Sequence, residues 1–265
     1  MMQREDVGKW IRGALVEFVA KDARNSLPAH GGARIYDAPI VGFACTGDPL
    51  FDTLKKPEVV GPKHRSPLEW LEVAETVISY FLPFTEYVRE SNRTEGLPSE
   101  QWVSARIDGE AFNNCVRRHC LELLEKAGER ATVPPFVKDF SIVDRRSNWS
   151  ERHVAYIAGL GTFGLSKSLI TARGSAGRYG SVITTAKIAP TPRTAATWYE
   201  ACPFLTSGAC GDCIARCPSG AITEQGKDVA KCSNYLDTVV RPKFAPRYGC
   251  AKCQTNVLCE SQSPQ

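Results

Sequence analysis

Histidine and methionine are scarce in this chain, with four and two copies in 265 residues. His30, His64, His119 and His153 are scattered, and no His-x-x-x-His or similar ligand spacing joins them, so a histidine-built metal site is not expected. No apolar window reaches the roughly 18 residues of a membrane span. The N-terminal MMQREDVGKWIRGALVEFVAK mixes both charge signs without an uninterrupted apolar stretch, so it does not read as a secretory signal. A cytoplasmic protein without a membrane partner is expected. Concentrated charge is lacking too. A formal net charge of +4 and a pI near 8.5 fall well short of the basic face that phosphate-backbone binding uses.

Cysteine is the residue present in excess. There are 11, an odd number in a chain with no expected secretory signal, which argues against a disulfide framework. Eight of them fall between Cys202 and Cys259: Cys202, Cys210, Cys213, Cys217, Cys232, Cys250, Cys253 and Cys259. Cys210-x2-Cys213-x3-Cys217-Pro218 is the back of the C-x2-C-x2-C-x3-C-P run that holds 4Fe-4S clusters. Ser207 stands where the first cysteine of that run belongs, and Cys202 upstream replaces it. Cys250-x2-Cys253 repeats the paired thiols without the proline.

In two-cluster ferredoxins the fourth cysteine of each run ligates the other cluster. The same crossing assigns Cys202, Cys210, Cys213 and Cys259 to one site and Cys217, Cys232, Cys250 and Cys253 to the other. Two zinc sites built from the same eight thiolates are the competing reading. Cys45, Cys115 and Cys120 lie outside the set and read as small buried hydrophobes.

Upstream, hydrophobic spacing predicts helices over 5–21, 68–75, 100–126 and 151–160, with Gly128 closing the third. Strands are predicted over 35–44, 76–82, part of 132–143, 168–171 and 181–188. Gly159, Gly161 and Gly164 make Ala158–Gly164 the most glycine-dense stretch. Such a stretch lets backbone approach a ligand or another segment closely. Pro190-Thr191-Pro192 marks a linker, and composition shifts there to cysteine-rich. An α+β class is expected, with domains at 1–198 and 199–265.

Taken together, Ala158-Gly-Leu-Gly-Thr-Phe-Gly-Leu-Ser-Lys-Ser-Leu-Ile170, Gly180-Ser-Val-Ile-Thr-Thr185, the Cys210–Ile222 motif, Asp228-Val-Ala-Lys-Cys232-Ser-Asn-Tyr-Leu236 and Tyr248-Gly-Cys250-x2-Cys253-Gln resemble the epoxyqueuosine reductase family. Reductive dehalogenases share the plan. The resemblance runs from about residue 140 to 259. It implies a nitroreductase-like α/β domain that binds a base-off corrinoid such as cobalamin, followed by a ferredoxin-like domain with two 4Fe-4S clusters that deliver single electrons to cobalt.

The Asp-x-His-x-x-Gly signature of proteins that ligate cobalt through histidine is absent, in keeping with base-off binding. By the same resemblance Ser147, Asn148 and Trp149 would line the reactive face. Gly159, Gly161, Thr162, Phe163 and Gly164 would contact the cofactor. Where those reductases carry the aspartate of an Asp-Ser-Ala-Pro segment as proton donor, this chain has Arg145, with Asp144 one position away as the candidate catalytic acid.

The chain ends six residues after Cys259, whereas the tRNA-modifying members continue into a helical repeat domain. tRNA is therefore not expected as a partner. The reading favoured is a corrinoid-dependent iron-sulfur reductase fed by a low-potential donor of ferredoxin or flavodoxin type. Its substrate would be a small molecule or the corrinoid itself. Epoxyqueuosine reduction and a non-catalytic electron carrier are the alternatives.

Overall fold

The computed structural model describes residues 4–264, so the outermost ends of the expected 1–198 and 199–265 division lie outside the described residues. Helix α1 (Arg4–Lys21) leads through the short β1 (Ser26–Leu27) and β2 (Ala33–Arg34) into β3 (Ile40–Cys45). Helix α2 (Leu50–Thr53), β4 (Thr76–Pro83), α3 (Glu86–Ser91) and the long α4 (Glu100–Lys126) follow. Then come β5 (Ala131–Thr132), the β6–β7 hairpin (Ile142–Val143, Arg146–Ser147) and α5 (Glu151–Ile157). A β8–β9 pair (Gly161–Phe163, Leu169–Thr171) precedes β10 (Gly177–Thr184).

The main sheet has the order β3-β4-β10-β5 with every pairing antiparallel. All eight residues of β4 are buried, because this central strand is covered on both faces. Ile78, Tyr80 and Leu82 face one core with Val182, and there α1 and α4 supply Ile11, Leu15, Trp102, Phe112 and Val116. Val77 and Ile183 face the other core with Phe51, Trp149, Val154 and Ile157. This mixed helix-and-sheet architecture agrees with the α+β class.

Local chemistry sets the element ends. The Ser99 hydroxyl accepts from the Trp102 N–H to start α4, and Gly128 at φ +79° follows its end. The strand predicted over 35–44 begins only at Ile40, after Pro39, which has no N–H for the ladder. The helix predicted over 68–75 is a correction: it shrinks to a 3-10 turn at Pro67–Glu69. There the Ser66 and Glu69 side chains close a capping box, and the chain must extend by Thr76 to enter β4.

Within 132–143 only Thr132 joins the sheet, and Pro134-Pro135 turn the chain into a 3-10 helix and then the hairpin. Strand β10 starts at Gly177, four residues ahead of the predicted 181–188. Cys120 is buried as expected, whereas Cys45 is exposed and Cys115 half-buried.

His64 is 2% exposed and lies flat against Trp149 at 5.7 Å between ring centres. Burial first, then the Lys55 charge, lowers its pKa to about 4. A folded-state value below the ordinary 6.5 means that the unfolded chain takes the proton first, so stability falls as pH drops from 6.5 toward 4. The loss should reach about 3 kcal/mol. Urea midpoints measured across that range should fall less steeply in a His64→Gln variant, and equal slopes would remove the assignment.

Candidate metal centre

After Pro190–Pro192 the chain is built from short pieces: α6 (Pro203–Ser207), α7 (Asp212–Ala215), the β11–β12 hairpin (Ile222–Thr223, Gly226–Lys227), α8 (Val229–Tyr235) and α9 (Arg241–Phe244). Eight cysteines punctuate them, all as free thiols. Cys202 caps α6, Cys213 lies in α7, Cys217 follows α7, and Cys232 lies in α8. Cys253 falls in the 3-10 turn Lys252–Gln254.

Cys202, Cys210, Cys213 and Cys259 line one hollow, otherwise walled mainly by apolar groups such as Leu165, Ile170, Phe204 and Val257. Burial pushes the Cys213 thiol up to about 12, and the other thiols add to the shift, Cys253, Cys259, Cys202 and Cys210 among them. Burial likewise raises Cys259 to about 11, against the Ser175 hydroxyl 3.8 Å away.

The remaining four thiols also sit within electrostatic reach of one another. Burial raises Cys250 to about 11, opposed by the N–H and charge of Lys252 and reinforced by Cys253 and Cys232. Burial raises Cys253, with Cys232 and Cys217 adding to it. Burial also pushes Cys217 up, but the Ser219 hydroxyl and the N–H groups of Ile222, Ala221 and Ser219 outweigh it and lower its pKa. The two neighbourhoods also touch, since Cys253 is the thiol that acts most strongly on Cys213.

Soft thiolates crowded against apolar walls match what iron-sulfur clusters and zinc both demand. Among the described residues, no three His, Cys, Asp or Glu groups converge tightly enough to hold a single metal ion.

The residues expected to face a corrinoid are engaged elsewhere. Trp149 is 1% exposed, packs against Phe51, His64 and Trp70, and donates from Nε1 to Ser181. Asn148 is buried and laces the hairpin through Asp139 and Ser141. The Ser147 hydroxyl donates to the Trp149 carbonyl.

The glycine-rich loop joins the two parts of the chain. Gly161 lies against the Ile170 backbone, where an added Cβ would come within 2.0 Å of its carbonyl oxygen. The Thr162 hydroxyl accepts from the Ala201 N–H, and the Phe163 N–H donates to Trp198. Gly159 lies beside Thr191 and Pro192, and Gly164 beside Ile170 and the Cys202 sulfur.

Asp144 is exposed at the tip of the β6–β7 hairpin. It forms a two-residue turn with Arg145, both at positive φ. Arg145 reaches across to Asp237 just after α8, so the tip touches the cysteine-rich part.

The sequence reading passed over a second junction. The guanidinium groups of Arg106 from α4 and Arg241 from α9 lie 4.8 and 5.4 Å from the Tyr248 ring centre. Only the position of Tyr248, two residues before Cys250, could have pointed to it.

No family model and no curated protein matches the sequence. Solved structures do. The epoxyqueuosine reductase from Bacillus subtilis, with its catalytic aspartate loop swung out of the active site, superposes with a TM-score of 0.53 at 20% identity. An epoxyqueuosine reductase with an epoxyqueuosine-modified tRNA-Tyr stem loop gives 0.51 at 20% identity. Each of these alignments covers 95% of this chain and 66% of the other. The catabolic reductive dehalogenase NpRdhA gives 0.50 at 14% identity, over 88% of this chain and 34% of that one.

The chain therefore has an α+β fold shared with redox enzymes. More particularly, its structural neighbours are the epoxyqueuosine reductases and the reductive dehalogenases, as the sequence motifs implied. It spans just under two thirds of the length of the epoxyqueuosine reductases. No helix among the described residues is long and apolar enough to cross a membrane.

Proposed function

We propose that this protein is an iron-sulfur oxidoreductase. Cys202, Cys210, Cys213 and Cys259 hold one 4Fe-4S cluster, and Cys217, Cys232, Cys250 and Cys253 hold the second. Residues 199–265 form the ferredoxin-like domain behind a nitroreductase-like domain at 1–198. The observation that carries the reading is that Cys202, Cys210, Cys213 and Cys259 line a single hollow.

When bound, such clusters accept and release single electrons at low potential. The chain's own part is to hold the thiolates and to exclude water with Leu165, Ile170, Phe204 and Val257. A low-potential donor of ferredoxin or flavodoxin type supplies the electrons.

The acceptor we propose is a base-off corrinoid, used to reduce a small substrate or reduced as the substrate itself. The motif resemblance supports this, and so does the fold. Ser147, Asn148, Trp149 and the Gly159–Gly164 loop remain its candidate contacts, which must exchange their present partners to bind it, so no step is derived through it.

Epoxyqueuosine reduction is the second reading. It is favoured by the fold of the tRNA-bound neighbour and by Asp144 at an exposed hairpin tip, where a general acid is open to a large substrate.

Anaerobic reconstitution should yield about eight iron and eight sulfide per chain, and micromolar cobalamin should then give a base-off spectrum. Stoichiometric zinc without sulfide would end the cluster reading. Clusters without any corrinoid binding would leave an electron carrier. Restoration of queuosine in the tRNA of a deficient strain, lost with Asp144→Asn, would select the second reading.

A further inference from the structure

Two cations flank thiols of the second quartet in sequence, and the Lys252 charge acts on Cys250. Arg216 immediately precedes Cys217, and its guanidinium donates to the carbonyls of Asn92, Thr94 and Thr255. Lys252 lies between Cys250 and Cys253, is 1% exposed, and donates from Nζ to the same Asn92 and Thr94 carbonyls at 3.0 and 2.6 Å. Neither forms a salt bridge among the described residues, although Glu95 lies within electrostatic reach of Lys252. Lys227 and Arg152 lie within reach of Cys253. The Cys217 sulfur also meets the Ser219 hydroxyl at 3.4 Å.

The first quartet has a different surround. Asp212 sits beside Cys213 and accepts from the Leu258 N–H. Glu260 follows Cys259 and is buried, but Arg93 at 2.7 Å and Arg89 at 3.8 Å offset its charge. Among the described residues, no lysine or arginine is among the main charges acting on Cys213 or Cys259. The hydroxyl contact from Ser175 to the Cys259 sulfur is longer than that of Ser219 to Cys217.

The potential of an iron-sulfur cluster depends on nearby charge and on hydrogen bonds to its sulfurs. Reduction adds one negative charge, so a fixed cation or a donor favours the reduced state and raises the midpoint.

We infer that Arg216 and Lys252 hold the Cys217/Cys232/Cys250/Cys253 cluster at a higher potential than the other, making the chain a one-way electron path. The Cys202/Cys210/Cys213/Cys259 cluster is then the inlet. A reduced low-potential one-electron carrier loses an electron to it and is oxidised. That electron passes on to the second cluster. This inference depends on the two-cluster reading above.

Cys213 lies within reach of Cys253, which gives the electron a short step between the two groups. Burying a lysine against carbonyls and one hydroxyl is costly for stability, and a role in potential accounts for keeping Lys252.

The test is a redox titration of the reconstituted protein followed by electron paramagnetic resonance. Two midpoints should resolve. Arg216→Gln should lower the higher one, reducing the reduced-to-oxidised ratio of that cluster at fixed potential about tenfold, equivalent to 59 mV for one electron. The lower midpoint should stay in place. Arg216→Lys should restore most of the shift, and Lys252→Gln should act in the same direction as Arg216→Gln.

Iron and sulfide content reports whether each variant still assembles. Full clusters with coincident midpoints, or with a higher midpoint unmoved by both Gln variants, would overturn the inference and leave the cluster reading intact. Absence of any cluster signal in the parent protein would instead remove the reading on which it rests.

Discussion

Cys213→Ser is expected to empty the first quartet and to unfold much of the chain beyond residue 199, while the antiparallel sheet stays folded. The small core behind the cysteines consists of Leu165, Ile170, Cys202 and Ile222, with Cys213, Cys217, Cys253 and Cys259 packed against it. Sulfur is thus a large share of its interior. Although a π turn at Leu236–Val240 joins α8 and α9 into one helical run, α6 and α7 are only five and four residues long. Helices so short are not stable in isolation, since each must be nucleated at a cost that one or two turns do not recover.

In such a segment metal binding supplies folding free energy, about 10–16 kcal/mol for a structural zinc site at neutral pH. Without metal, Cys213 keeps its proton, because burial has raised its pKa to about 12. Iron content should fall by about half in Cys213→Ser. Limited proteolysis should cut the segment after residue 199 and leave a resistant fragment containing β3, β4 and β10. Cys115→Ser, outside both quartets, should match the parent in both measurements. Undiminished iron and sulfide in Cys213→Ser would remove Cys213 from the ligand set.

The concentration of cysteines was visible in the sequence because Cys-x2-Cys pairs stand out whatever the loops around them do. Helix α4 was visible for a similar reason, since Val103, Ile107, Ala111 and Cys115 recur at four-residue steps with Phe112, Val116, Leu123 and Leu124 beside them, and a local period needs no partner. Strand order left no such trace. Strand β10 lies beside β4 in the sheet yet almost a hundred residues later in the chain. That pairing depends on helices covering both faces.

The hairpin turn at Asp144-Arg145 left only a faint trace, because neither residue is the glycine or asparagine that usually marks positive φ. Trp149 was read toward a ligand and is found buried in the aromatic core. Arg216 and Lys252 gave no signal by residue type, as lysine and arginine are ordinarily exposed. Only their positions beside ligands distinguish them.

Arg117→Met should cost about 3–5 kcal/mol, the range for removing one partner of a buried ion pair. Arg117 is 2% exposed and donates to Glu110 at 2.7 Å and to Glu151 at 2.9 Å. Glu151 in turn accepts from Ser181 on β10, and Glu110 from Arg178 on the same strand. Strand β5 pairs only with Ile183 and Thr184, so these side chains help join α4 and α5 to β10 where no neighbouring strand does.

Removing Arg117 leaves Glu110 with Arg178 but leaves Glu151 with a hydroxyl alone. Burial already raises the Glu151 pKa in spite of Arg117, and losing that charge raises it further. A folded-state value above the unfolded one means that the variant keeps most of its stability at low pH and loses it as pH rises through the folded value. The penalty in urea unfolding should therefore be larger at pH 8 than at pH 5.5. Adding Glu151→Gln to Arg117→Met should recover part of the loss at pH 8, because a neutral amide needs no counter-charge. A penalty below about 1 kcal/mol, the scale of an exposed ion pair, or one equal at both pH values, would show that Glu151 is not held by Arg117.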